Sequence, residues 1–169
     1  PRCYLTWKLG QYNELTSYLL PLHDNLSSQS DYWLFLGMAY SGLDLPDKAL
    51  SSYSMALSLS SDRYDIYYNY ANALSSSDPE LAKSYYLKSL SLQPFQSSCW
   101  HNLALLYQSQ SLYSESILCF KKSLLLSASD SNTYNNLARS YIELSNTSSA
   151  EYCYNLSLNI SPNDLTSLV

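Results

Sequence analysis

Charge is scarce in this 169-residue chain: 14% of its residues are Asp, Glu, Lys or Arg, against about 25% in ordinary proteins. Basic residues are the scarcer kind, nine Lys and Arg against 14 Asp and Glu, for a net charge of −5. A chain without a basic stripe lacks the electrostatic footprint for a phosphate backbone, which argues against nucleic acid as a partner. Glycine is nearly absent, with three residues in all. Glycine-rich phosphate loops and turn-dense β folds need more. Two histidines and four cysteines (Cys3, Cys99, Cys119 and Cys153), none in a C-x-x-C pair, supply neither a metal ligand set nor a disulfide framework. Four reduced thiols point to a cytoplasmic or nuclear protein. No apolar run approaches the roughly 18 residues of a membrane span, so no membrane partner is expected. Nothing in the first residues reads as a signal peptide, and none is expected. Pro1 stands where a methionine would, so a processed chain or excised segment is expected. Serine takes the place of charge, at about a fifth of the chain against that usual charged quarter. N-x-S/T triplets begin at Asn25, Asn146, Asn155 and Asn159, and in so serine-rich a chain they read as chance.

What is present is a period. Trp33, Tyr67, Trp100 and Tyr134 follow one another at steps of 34, 33 and 34 residues. Three residues after each ring stand Leu36, Tyr70, Leu103 and Leu137, then the small residues Gly37, Ala71, Ala104 and Ala138. A second set repeats as Ala49, Ala82, Ser116 and Ala150, four residues before the rings Tyr53, Tyr86, Phe120 and Tyr154. Small residues close the set at Ala56, Ser89, Ser123 and Ser157. Apolar spacings of three and four are helical. Small residues facing large rings let two helices approach closely. Asp44 with Pro46, and Asp78 with Pro79, read as helix starts, an acid cap before a proline in the first turn.

This pattern resembles the tetratricopeptide repeat, whose W-x2-L-G-x2-Y and A-x3-F signature is visible in WLFLGMAY (Trp33–Tyr40) and ALSSYSMAL (Ala49–Leu57). The resemblance implies an all-α fold, an α-solenoid of helix-turn-helix units in a right-handed superhelix, with about ten helices. The expected units are 30–63, 64–96 (one residue short), 97–130 and 131–164. A degenerate unit is expected over 1–29 and the start of a further helix over 165–169. The missing residue is assigned to the turn at Ser75–Asp78. No polar terminal face marks a cap, so the array is expected to extend further.

No catalytic constellation is legible, so no enzyme and no cofactor are expected. His23 and His101 have no visible catalytic partner. Acids such as Asp62 and Asp130 fall in turns and read as caps. In the family it resembles, the first helix of each unit lines a concave groove. Two residues after each anchoring ring stand Phe35, Asn69, Asn102 and Asn136. An asparagine amide both donates and accepts, so it can hold a peptide bond by both groups. The row is similar to the asparagine ladder in the repeat arm of the enzyme that attaches single N-acetylglucosamine units to nuclear and cytoplasmic proteins, with Phe35 departing from it. The expected ligand-binding residues are Asn69, Asn102 and Asn136, with Asn72, His101, Arg139, Asp65 and Tyr68 beside them. His101 is expected on the exposed side of its helix. Asp31, Asp65, His101 and Arg139 together give a mildly acidic groove suited to a neutral or basic segment. The carboxylate clamp of chaperone-tail receptors, also of this family, is not matched. Its cationic positions fall at Tyr68, Asn132 and Asn136, and a dianionic tail would lie there without a partner.

Three functional readings follow. The first is a non-catalytic binding module that holds a protein or an extended peptide in its groove. The second is a scaffold in a larger assembly, joined through its convex face and ends, with self-association through the ends as one form. Its support is low charge and 18 tyrosines, since rings without charge mark interface cores. The third is the recognition arm of an enzyme whose catalytic part is absent. Thr6–Leu19 resembles a segment in the helical-repeat region of phosphatidylinositol-kinase-related protein kinases.

Overall fold

The structure, a computed structural model, describes residues 2–162. The helix start expected over 165–169 lies outside the described residues. Among the described residues there are eleven α-helices, one 3-10 turn and no β-strand. They are α1 (Arg2–Lys8), α2 (Tyr12–Leu19), α3 (His23–Leu26), α4 (Ser30–Gly42), α5 (Pro46–Leu59), α6 (Tyr64–Leu74), α7 (Pro79–Leu92), α8 (Ser97–Ser109), α9 (Tyr113–Leu126), α10 (Ser131–Glu143) and α11 (Thr147–Ile160). The helix beyond the expected ten is the short α3. Pro21 has no backbone N–H to continue the α ladder, and α2 gives way there to the 3-10 turn Leu20–Leu22 and then α3. Helices α1–α7 form one compact unit and α8–α11 another.

In the first unit α4 pairs with α5 and α6 with α7, while α5 packs on α6 and α2 on α4. In the second, α8 pairs with α9, α10 with α11, and α9 packs on α10. The periodic small residues make these pairs possible. Gly37, Ala71, Ala104 and Ala138 are all buried, and a Cβ placed on Gly37 would lie 2.6 Å from the Tyr53 ring of its partner helix. Tyr53, Tyr86 and Phe120 are buried opposite them; Tyr154, their counterpart in the last repeat, is only half-buried.

Three serines stand where α5 has Ala56. Ser89 Oγ donates to the Tyr64 carbonyl (2.8 Å), Ser123 Oγ to that of Ser97 (2.9 Å) and Ser157 Oγ to that of Ser131 (3.1 Å). Each acceptor is the first residue of the preceding helix. A buried hydroxyl costs stability unless bonded, and here each is tied to the helix it packs against. Part of the serine richness is thus accommodated inside the core rather than only on the surface.

The turns inside the repeats correct two expectations. Asp44 does not cap α5. It takes a left-handed backbone at φ 58, as do Ser111 (φ 60) and Ser145 (φ 57) in the matching turns, while Leu45 holds the cap position with no side-chain bond. Asp78 does cap α7, its Oδ1 accepting from Leu81 N at 3.1 Å. The residue missing from the second repeat is not simply lost from the turn. Helix α6 has 11 residues where α4, α8 and α10 have 13, and the turn that follows it, 75–78, is longer by one residue.

Candidate functional site

In the first unit, α6 carries Asp65, Tyr68, Asn69 and Asn72. Spacings of three and four set Asp65, Asn69 and Asn72 on one stripe of that helix. Asn69 Nδ2 donates to the Asp65 carbonyl at 2.8 Å, which fixes the direction of its amide. Asn72 Oδ1 accepts from the Tyr86 hydroxyl at 2.7 Å, and the Tyr68 ring centroid lies 6.4 Å from that of Tyr86. The acidic character expected at Asp31 and Asp65 is reduced, since one arginine offsets one of the two charges. Arg63, just before α6, donates Nε to Asp65 Oδ1 (3.1 Å) and Nη2 to Oδ2 (2.6 Å). Its Nη1 reaches Ser30 Oγ (3.2 Å) and pairs with Asp31. A guanidinium fork matches carboxylate geometry, and these bonds to Asp65, then to Asp31, hold the Arg63 pKa above its already high ordinary value.

Asn69 and Asn72 line one wall of a cavity of about 400 Å³. Trp7 and Tyr12 of the first two helices, with Ser41, Asp44 and Tyr53, also line it. Tyr53 OH and Ser41 Oγ lie 3.1 Å apart. Burial pushes the Tyr53 pKa up to about 12, opposed by its bond to Ser41, so the phenol keeps its proton and remains a possible donor. Tyr12 comes this close because residue 42 is glycine: a Cβ there would meet its ring at 2.5 Å. Of these lining residues, sequence reasoning named Asn69 and Asn72. It missed Trp7 and Tyr12, which lie in the stretch where the repeat pattern is weakest, and Ser41 and Asp44, which have no marked counterparts in the period.

In the second unit, α8 carries His101 and Asn102, and α10 carries Asn136 and Arg139. His101 is not on the exposed side as expected; its side chain is 18% exposed. Its Nδ1 lies 2.6 Å from Thr133 Oγ1, and its ring meets that of Phe120 edge-on at 5.5 Å. Thr133 Oγ1 donates to Asp130 Oδ2 at 2.5 Å, and Asp130 Oδ1 caps α10 through Thr133 N at 3.2 Å. Burial lowers the His101 pKa, opposed by Asp130. Asn102 and Asn136 are half-buried and Arg139 is exposed. Gln108 Nε2 donates to the Asn136 carbonyl (3.0 Å) and to Ser140 Oγ (2.8 Å), which ties α8 to the middle of α10. The first unit thus brings Asp65, Asn69 and Asn72 to polar partners of the fold itself, and the second brings His101 and Asn136. Among the described residues, no cluster of His, Cys, Asp and Glu is arranged to hold a metal ion, and no helix is long and apolar enough to cross a membrane.

Comparison with known proteins bears on the fold. The crystal structure of MamA is similar with a TM-score of 0.84 at 16% identity, covering 96% of this chain and 95% of that one. Pseudomonas aeruginosa PilF gives a TM-score of 0.87 at 20% identity, covering 98% and 76%. YrrB, described as a TPR protein with an unusual peptide-binding site, gives 0.80 at 15% identity, covering 98% and 86%. No curated protein matches the chain in sequence. No catalytic family is indicated, and this fold is consistent with a protein–protein interaction module. The tetratricopeptide repeat profile matches residues 30–63, 64–96, 97–130 and 131–164. With four consecutive repeats over most of its length, the chain belongs to the tetratricopeptide repeat family.

Proposed function

We propose that the protein is a non-catalytic adaptor that holds an extended peptide segment against the first helices of its repeats, anchored at the cavity of the first unit. One observation carries this reading: Asn69 and Asn72 face a 400 Å³ space whose other walls include the rings of Trp7 and Tyr12. That volume lies within the range of about 300–1,000 Å³ for ligand sites, which combine apolar walls with a few placed polar groups. Asparagine supplies donor and acceptor for a peptide unit, and the rings offer apolar contact to a neighbouring side chain. The likeness to YrrB supports the reading by analogy. With Arg63 offsetting one of the two charges of Asp31 and Asp65, this face stays mildly acidic and suits a neutral or basic segment.

The test is selection of binders from a displayed peptide library, followed by titration against wild type, Asn69→Ala and Trp7→Ala. Peptides that lose affinity in both variants, with unchanged circular dichroism, support the proposal. Selected peptides indifferent to both variants would move the function to another face. Asn72→Ala is a poorer probe, because Asn72 also bonds the buried Tyr86.

A further inference from the structure

The second helices of the repeats differ from one another in the residues they carry. In the first unit, Tyr85 of α7 lies against Tyr67 and Tyr70 of α6, with ring centroids 5.5 and 5.1 Å apart. Three rings fill that position. In the last repeat the residues at the same steps are Cys153, Tyr134 and Leu137, so one ring is replaced by a thiol and another by an aliphatic chain. A cavity of about 710 Å³ opens there, between α9 and α11 with α10 as its floor, and Tyr134, Leu137, Tyr141 and Cys153 line it. Its rim is apolar and open: Leu125 is 86% and Tyr152 66% exposed, and both line the cavity.

Among the described residues lining this cavity, Lys121 alone is charged. Its ammonium lies 5.7 Å from the Tyr141 ring centroid, and its charge acts on the Cys153 thiol, opposing the upward shift that burial imposes. The corresponding hollow of the first full repeat, lined by Trp33, Leu36, Tyr40 and Ser52, carries Asp47 beside Lys48 and so has no net charge. The hollow where α9 meets the last repeat therefore sets an apolar lining beside one positive charge, with no acidic residue among its lining, in a chain whose net charge is −5. Complementarity selects an anionic group next to an apolar anchor. The open side of the hollow favours a segment of another protein, laid across α9 and α11.

We infer that the hollow between α9 and α11 docks a partner-protein segment that inserts a large apolar side chain and sets a carboxylate beside Lys121. This does not rest on the peptide-holding role of the first helices, since none of Asn69, Asn72, Asn102 or Asn136 touches it. The test uses the full chain and two capped tetrapeptides, one of leucine, phenylalanine and two glutamates, the other with two lysines in place of the glutamates. Amide shifts of α9 and α11 are followed by NMR. The glutamate peptide should bind about fivefold more tightly than the lysine peptide, the worth of one partly exposed ion pair, and Lys121→Glu should reverse the order. Cys153→Tyr, which restores the ring present at Tyr85, should abolish the shifts. Leu125→Glu, at an exposed position that leaves the fold intact, should do so even if the tyrosine overpacks. Equal affinity for the two peptides, or binding that survives Leu125→Glu, overturns the inference. So does a dimer in sedimentation that Leu125→Glu dissociates, which assigns the hollow to a second copy. Nuclear Overhauser contacts from residues 163–169 to Leu125 and Tyr152 overturn it too, assigning the hollow to the chain's own end.

Discussion

The imidazole of His101 sits between its own α8, the Phe120 ring of α9 and the capped first turn of α10. Thr133 has one hydroxyl proton, and its 2.5 Å approach to Asp130 Oδ2 commits that proton there. Thr133 Oγ1 therefore accepts from His101 Nδ1–H, and the neutral ring is held in one tautomer. Burial disfavours the imidazolium more than Asp130 favours it, so the folded pKa is depressed. A histidine depressed by folding binds its proton more readily in the unfolded chain. Its contribution to stability is complete above the unfolded value of about 6.5 and is lost as pH falls through that value towards the depressed one. Between pH 8 and pH 5, the melting temperature of the wild type should fall further than that of His101→Gln, which keeps a donor for Thr133 but does not titrate. Parallel pH profiles would show that His101 carries no such linkage. The sequence placed this residue one step after a core ring and read it as surface. Its true setting depends on Thr133, 32 residues away, a pairing that no local spacing announces. Asp31 and Asp65 are alike in this respect: their charge is visible in the sequence, but their shared pairing with Arg63 is not.

At the scale of helices and turns, most of the architecture was legible, because the period is written in side-chain size. Rings and small residues recur at helical steps, and packing alone sets them inside. Ala104 is fully buried between paired helices, so Ala104→Leu should cost about 1–3 kcal/mol by overpacking, read as a shift in the denaturation midpoint. A neutral result would show that position 104 does not lie at a close helix contact. Turn conformation was not legible, because the residues that adopt the left-handed backbone are Asp44, Ser111 and Ser145 rather than glycine. Left-handed backbone costs a non-glycine residue roughly 1–2 kcal/mol, partly offset by the greater freedom glycine has when unfolded. Ser145→Gly should therefore stabilise the protein by up to about 1 kcal/mol, since Ser145 is exposed and its turn bonds run through the backbone. Loss of stability on that change would mean that the serine hydroxyl supports the turn. The short α6 was half legible: the missing residue showed in the spacing, but a helix shortened by two with a longer turn gives the same count as a deletion confined to the turn.

At the scale of the molecule, the asparagines proposed to bind a ligand divide between two units. Asn69 belongs to the first and Asn102 and Asn136 to the second. A ligand held by the first unit alone loses affinity in Asn69→Ala and is indifferent to Asn102→Ala and Asn136→Ala. An extended ligand that engages both units loses affinity in each, and the free energies add. The second pattern follows if the asparagine that stands at the same step of three repeats is used in each of them. Each neutral hydrogen bond is worth about 0.5–1.5 kcal/mol, so the three replacements together should weaken an extended peptide by about tenfold or more. The fold should persist, as none of the three asparagines fills the core. Salt should change the affinity of a neutral peptide little, because no cationic clamp stands at Tyr68, Asn132 or Asn136 to be screened, and Arg63 leaves only one net negative charge with Asp31 and Asp65. Titration of a library-selected peptide into wild type, Asn69→Ala, the Asn102/Asn136 double variant and the triple variant, each at two ionic strengths, reads all of this at once. Affinity unchanged in a folded triple variant would remove the asparagines from binding. The second-helix surface around Leu125 and Tyr152 would then be the face on which the protein meets its partners.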